Sequence, residues 1–360
     1  MKIFNKNEWK KVKLEDICDI LDSKRIPISE EKRIKGEYPY YGANGIQGYI
    51  NDYIFDEELI LLAEDGGNFG SKTKPIAYKI NGKTWVNNHA HVLKAKNEII
   101  STDFLLYSLM FYDVTKLIAG TTRKKLTRKG MEKISLLIPN LDVQDKITNY
   151  LKKIENFISF RKNQLNYLKE LAKSLFITFN KNGIEKRLDD IADISMGQSP
   201  LSQSYNIDKK GLPFYQGKTE FGDIYIKEPI IYCNSPIKIV EKNDILMSVR
   251  APVGDVNIAT QKSCIGRGLA SIRAKKVDYL YLFYLLKERK IKIEKMGVGS
   301  TFKAINKNNI SSLQIPIIEM SKQNRIKKYL LLIEKLSFEI EKSIKEAENL
   351  YNSLMNKYFE

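Results

Sequence analysis

Apolar residues return along this chain in two rhythms, one helical and one alternating. From Asp142 to Phe179, the positions Ile147, Leu151, Ile154, Ile158, Leu165, Leu168, Ala172 and Leu175 alternate spacings of four and three, interrupted only by Arg161. That is the a/d heptad seam of a long packed helix. The same seam returns 179 residues later as Ile326, Leu330, Ile333, Ser337, Ile340, Ile344, Ala347, Tyr351 and Leu354. Each helix should run about 36 residues, roughly 54 Å, which is difficult to hide inside a globular core. The two helices are therefore expected to pack mainly on each other. Asp142 and Ser321 are the expected N-caps, each followed two positions later by a glutamine, Gln144 and Gln323. Pro139 and Pro316 lie just upstream and should end the preceding extended segments.

The alternating and short apolar runs fill the chain before and between these helices. Leu59–Ala63 reads as a strand entering the tight loop Glu64-Asp65-Gly66-Gly67, and Asp244–Arg250 is its analogue before Ala251-Pro252-Val253-Gly254. Trp85-Val86 and His91-Val92-Leu93 predict short strands around Asn87-Asn88-His89, whereas Phe104–Met110 and Tyr279–Leu286 predict helices. Lys13–Ile20 reappears as Arg187–Ile194 at an offset of 174, while Gly120-Thr121-Thr122 reappears as Gly299-Ser300-Thr301 at 179. So long a period means a duplicated domain, with insertions between the anchor points. Four segments follow: globular residues 1–140, a helix at 141–183, globular residues 184–317 and a helix at 318–360. Without regular β-α alternation, an α+β fold fits better than a doubly wound sheet.

Composition adds one strong fact. Of 360 residues, 60 are Lys or Arg against 43 Asp or Glu, a formal charge of +17, which implies attraction to a polyanion, with nucleic acid leading. A solvated lysine surface is the competing reading. No 18-residue apolar run or signal-peptide core is present, so a cytoplasmic protein without membrane contact is expected. Cys18, Cys233 and Cys264 have no C-x-x-C spacing and read as buried thiols rather than a disulfide or zinc framework.

Tests for chemistry mostly fail. Gly82-Lys83-Thr84 and Gly217-Lys218-Thr219 lack the upstream glycine of a phosphate loop, since Ala77 and Leu212 stand there. No proline precedes an aspartate or sits in the Asn-Pro-Pro-aromatic pattern of amino-group methylation. His89 and His91 are the only histidines, and no carboxylate or thiol accompanies them at ligand-like spacing. No metal and no catalytic residue is expected. Thr121–Lys129 instead gathers Arg123, Lys124, Lys125, Arg128 and Lys129 among three threonines, a composition suited to phosphate oxygens. Loop residues able to meet base edges are Lys72, Lys74, Asn87 and Asn88 in the first half, and Gln216, Lys218, Arg250, Gln261, Lys262 and Arg267 in the second; His89 is a further DNA-binding candidate, for which a hydrogen-bonding or structural role is expected. Lys303 completes the set of DNA-binding candidates.

Several long strings resemble the specificity subunit of type I restriction–modification systems. In the first half they are Tyr38–Ile46, Glu64-Asp65-Gly66, Trp85–Val92 and Gly120–Leu126. In the second they are Gly197-Gln198-Ser199-Pro200, Tyr205-Asn206, Pro213–Lys218, Ser248–Gly254 and Gly266–Ala270. The resemblance covers essentially the whole chain. It implies two α/β globular target-recognition domains separated by two long helices that form an antiparallel coiled coil. It further implies a non-catalytic subunit that reads a bipartite, asymmetric site on double-stranded DNA and scaffolds two modification subunits. S-adenosylmethionine would sit on those adenine methyltransferases and ATP on restriction subunits, with no cofactor in this chain. Where the first half carries Thr-Arg-Lys-Lys, the second has Ser300-Thr301-Phe302-Lys303, so its phosphate grip should be weaker or placed elsewhere. Alternatives from other classes are a coiled-coil nucleic-acid-binding adaptor, a stand-alone DNA enzyme, and the recognition subunit of a related system lacking a separate restriction subunit.

Overall fold

The structure, a computed structural model, describes residues 5–120, 124–297 and 304–359. Its internal contacts divide the chain into two units, Met1–Asn163 with Glu341–Glu360, and Gln164–Ile340. Each unit contains part of both long helices.

The first unit is built around strand β6 (Leu59–Ala63), whose five residues are all buried. It lies in an antiparallel sheet of order β2-β9-β6-β7, with β2 Cys18–Ile20, β7 Ala77–Ile80 and β9 Ala90–Ala95. Successive side chains of a strand point to opposite faces. Accordingly Ile60 and Leu62 pack with the helix Thr102–Met110, through Phe104 and Leu105, while Leu59 and Leu61 pack with Val86 and Phe55 of a second sheet. With both faces covered, the strand reads as an unbroken apolar run instead of an alternating one. The second sheet has the order β4-β3-β8-β5, with β3 Tyr38–Gly42, β4 Gly45–Ile50, β5 Phe55–Asp56 and β8 Lys83–Val86; β3 and β8 are parallel. A short ladder of β1 (Lys10–Lys13) with β10 (Ser135–Ile138) leads into the central helix.

The second unit repeats this plan. A sheet of order β12-β20-β17-β18 (Ala192–Met196, Leu269–Ala274, Ile245–Ser248, Val256–Ile258) matches the first. Beside it lie β13 (Tyr205–Asn206), β15 (Tyr232–Cys233), β14 (Leu212–Tyr215), β19 (Ser263–Ile265) and β16 (Ile239–Val240), in that order, with β14 and β19 parallel. β11 (Ile184–Arg187) pairs with β21 (Gln314–Ile317) as β1 does with β10. Matching ladder positions locate the insertions. The offset is 174 at Tyr41 and Tyr215, 185 at Ala63 and Ser248, and 179 at Ala90 and Leu269. The second unit is therefore longer between β14 and β17, and the first between β6 and β7.

The long helices span Leu141–Asn180 and Met320–Phe359, 40 residues each. None of the predicted seam positions in either helix is exposed. Arg161 is half-buried with its guanidinium 5.0 Å from the Phe157 ring. In the first unit the helices run antiparallel: Glu155 accepts from the Tyr351 hydroxyl at 2.9 Å and Lys162 meets Glu348 at 3.0 Å. In the second, Phe179 lies 6.4 Å from Tyr329. Both helices start earlier than the sequence suggests. Asn140 caps the first, its side chain accepting the Val143 N–H at 3.0 Å, and Asp142 is already helical. Ser321 likewise lies inside a helix whose first residue is Met320.

The expectation that the helices pack mainly on each other needs correction at their ends. Ile147 and Leu151 sit in the first unit's core with Trp9, Phe104 and Leu354, while Ala172, Phe176, Ile326, Leu330 and Ile333 sit in the second unit's core. Gln144 and Gln323 fasten these junctions. The buried Gln144 amide accepts the Ser101 N–H at 2.9 Å and donates to the Ile99 and Pro139 carbonyls. Gln323 accepts the Asp278 N–H at 3.0 Å and donates to Ile318. Each glutamine thus ties a long helix to the N-cap of a globular helix, Thr102–Met110 or Tyr279–Glu288.

Candidate nucleic-acid interface

In the first unit the loops that follow β3, β6 and β8 are bonded into one surface. Asn44, in the turn after β3, donates to the Gly66 carbonyl at 2.9 Å. The backbone of Glu64 donates to His89 at 2.9 Å, and that of Asn87 to Tyr41 at 3.0 Å. Asn87 is buried: its amide donates to Gln47 at 3.0 Å and accepts the His89 N–H at 2.8 Å, so its side chain shapes the loop. Asn88 is exposed at the tip. His89 is half-buried against Asp65, Nδ1 to Oδ1 2.6 Å. Lys72 and Lys74 are exposed on the long β6–β7 loop, where Ser71 caps the turn through the Lys74 N–H at 2.9 Å.

Beneath this surface lies an ionic cluster that chain spacing could not show. His91, 1% exposed, places Nδ1 2.6 Å from Asp22 and Nε2 2.8 Å from the Leu126 carbonyl. Both ring nitrogens thus face oxygen atoms, one of a carboxylate and one of a backbone carbonyl. Arg25 meets Glu64 at 2.5 Å and Asp22 at 3.4 Å, and Lys125 meets Glu64 at 2.9 Å. Burial works to raise the carboxyls, but His91 and Arg25 hold Asp22, and Lys125 and Arg25 hold Glu64, below their ordinary values. No carboxylate stands at ligand-like spacing along the chain, but the fold brings Asp22 and Glu64 to His91, with ligand atoms of the three within 4.8 Å of one another. Arg25 and Lys125 already balance these two carboxylates.

The basic segment after Gly120 is only partly available for phosphate. Arg123 lies outside the described residues. Lys124 is exposed, Lys125 is turned to Glu64, and Arg128 pairs with Glu132 at 2.9 Å.

The second unit builds its surface with glycines. The turn Gly266-Arg267-Gly268 is wedged between Gly197–Ser199 and Gln216, and a Cβ on Gly268 would stand 2.3 Å from the Gln216 carbonyl oxygen. Arg267 donates its N–H to Ser199 Oγ at 3.2 Å and leaves its side chain exposed beside the exposed Gln216. Arg250 is also exposed, and its backbone bridges to Ala304. Lys218 and Lys290 both meet Asp255 at 2.6 Å and hold its carboxyl below the ordinary value against the effect of burial. Gln261 and Lys262 precede β19 whereas Arg267 follows it, so the structure places them at opposite ends of that strand; Lys262 lies 3.6 Å from Glu241. Lys303 lies outside the described residues. The three cysteines are buried, and burial pushes the Cys18 thiol up to about 12.

Sequence reasoning missed Asn44, Asp22 and Arg25. Their local signal is turn composition, because Asn44 meets Gly66, Arg25 meets Glu64 and Asp22 meets His91 across 22, 39 and 69 residues of chain.

A family profile described as the type I restriction modification DNA specificity domain matches twice, over residues 6–170 and 181–348. The chain belongs to this family. Its members are DNA-recognition rather than catalytic subunits, and the two matches coincide with the duplicated topology. A relative from Methanocaldococcus jannaschii, which carries the name of the MjaX type I restriction enzyme specificity subunit, is 37% identical over 74% of this chain and 69% of its own. A type I restriction enzyme specificity subunit relative from Haemophilus influenzae is 29% identical over 97% and 95%. Among solved structures, the S subunit of a type I restriction–modification system from M. genitalium shares the fold, with a TM-score of 0.67 at 15% identity, covering 100% of this chain and 98% of that one. No helix among the described residues is long and apolar enough to cross a membrane.

Proposed function

We propose that this subunit reads a bipartite, asymmetric duplex DNA site, one half-site per unit, and scaffolds two modification subunits that methylate adenine, together with restriction subunits. The observation that carries this reading is the same four-stranded central sheet built twice with different residues on the exposed loops around it. Asymmetry of the target follows from that difference. The net charge of +17 supplies the sequence-independent attraction to phosphate. Large apolar side chains left exposed on the long helices, among them Phe157, Phe160, Tyr167, Leu332 and Phe338, suit protein partners. S-adenosylmethionine would bind the modification subunits and ATP the restriction subunits. The paired helices would act as the ruler between half-sites.

Genome-wide mapping of N6-methyladenine tests this in cells that express the chain with its neighbouring modification subunit, against cells lacking the chain. Methylation at one bipartite motif is expected. No new methylation despite a co-purifying complex would overturn the reading.

A further inference from the structure

We infer that Asn88 and Arg267 are equivalent base-reading positions of the two units, Asn88 selecting an A·T pair in one half-site and Arg267 a G·C pair in the other. The inference rests on the DNA-reading function proposed above and assigns the chemistry of its two tips.

Backbone hydrogen bonds establish the equivalence without reference to side chains. Asn87 N–H donates to the Tyr41 carbonyl at 3.0 Å, and Gly266 N–H donates to that of Tyr215 at 2.9 Å. Two residues later, the His89 carbonyl accepts from Glu64 at 2.9 Å and the Gly268 carbonyl from Val249 at 3.0 Å. Between these fixed points stands one residue in each unit, Asn88 or Arg267, and both are exposed.

The flanking residues are fixed by opposite means. In the first unit polar side chains lock them, Asn87 through Gln47 and His89 through Asp65. In the second, close backbone approach does so: a Cβ on Gly266 would meet Phe214 at 3.0 Å and Ser199 at 3.1 Å, and one on Gly268 would meet Gln216 at 2.3 Å. Either device leaves a single polar side chain on a held backbone, so little ordering is needed on binding. The amide of Asn pairs two-fold with adenine N6 and N7, and the guanidinium of Arg pairs with guanine O6 and N7.

A second equivalent pair has the same bias. Asp65 bridges to Lys125 as Arg250 bridges to Ala304. In the first unit that position is an acid hydrogen-bonded to His89, whereas in the second it is an exposed arginine.

The test measures binding by the intact complex to duplexes carrying every single base-pair change in both half-sites. The wild-type complex comes first: if it shows no sequence preference, the DNA-reading function itself fails, whatever the variants do. Given a wild-type motif, Arg267→Ala should lose roughly 5- to 150-fold discrimination at one G·C pair of one half-site, and Asn88→Ala should do the same at one A·T pair of the other. Arg267→Gln should shift preference at its position from G·C towards A·T, a gain that misfolding cannot mimic. Lys124→Ala, a control in the phosphate-type segment, should weaken binding uniformly and lower the salt dependence. Variant profiles identical to wild type at every base pair, or losses spread evenly over both half-sites, would overturn the inference while leaving the proposed function standing.

Discussion

At the residue scale, Arg25 is the side chain that ties the start of the first unit to the loop surface around β6, by joining Asp22 and Glu64. Arg25→Ala would leave two nearly buried carboxylates short of a partner, which costs about 3 kcal/mol. Because the carboxyls are held below their ordinary values, their stabilisation is fully present at neutral pH. It is lost as pH falls through and below the ordinary carboxylate range, about pH 4. Without Arg25 both carboxyls bind protons more readily, so acid unfolding should set in at higher pH. Denaturant and pH titrations of wild type and variant measure both effects, and an unchanged acid midpoint would remove Arg25 from this role. His89 and His91 were visible in the sequence as the chain's two histidines, but not their occupations. Asp22 stands 69 residues from His91, and no periodicity joins them.

At the scale of elements, the heptad seam was fully legible because helical packing repeats locally. The caps were misplaced by about two residues, since Asn140 and Asp142 are both suitable and only the course of the preceding strand decides between them. Strand existence was legible in Leu59–Ala63 and Asp244–Arg250, whereas the parallel pairs β3–β8 and β14–β19 were not. Their partners lie some 45 to 50 residues apart, and parallel register leaves no turn signature. The glutamines after the predicted caps were noted for position alone. The structure gives them a function that can be measured: Gln144→Ala abandons three buried hydrogen bonds at once and should cost about 3 kcal/mol. Gln323→Ala should behave alike. Hydrogen exchange should show the loss first at the Ser101 and Asp278 amides, the groups these side chains hold; unchanged protection there would mean the helix junctions stand without them.

At the scale of the whole molecule, duplication is the organising fact, and it was readable from the offsets of 174 and 179. What the offsets could not reveal is where the two copies diverge. The structure puts the extra length between β6 and β7 of one unit and between β14 and β17 of the other, leaving the order of the central four-stranded sheets alike while β13 adds a fifth strand to the second unit's other sheet. Divergence around a shared central sheet is what reading two different half-sites requires. If the helices set the spacing, removing one heptad from each shortens them by about 10 Å, about three base pairs. The most direct measurement is therefore selection from a random duplex library by the complex of this chain with its modification subunits, run with full-length and shortened helices. Two selected blocks of unlike sequence, separated by an unselected gap that narrows when both heptads are removed, are the predicted result. A single continuous block, a palindrome, or no enrichment would contradict the account.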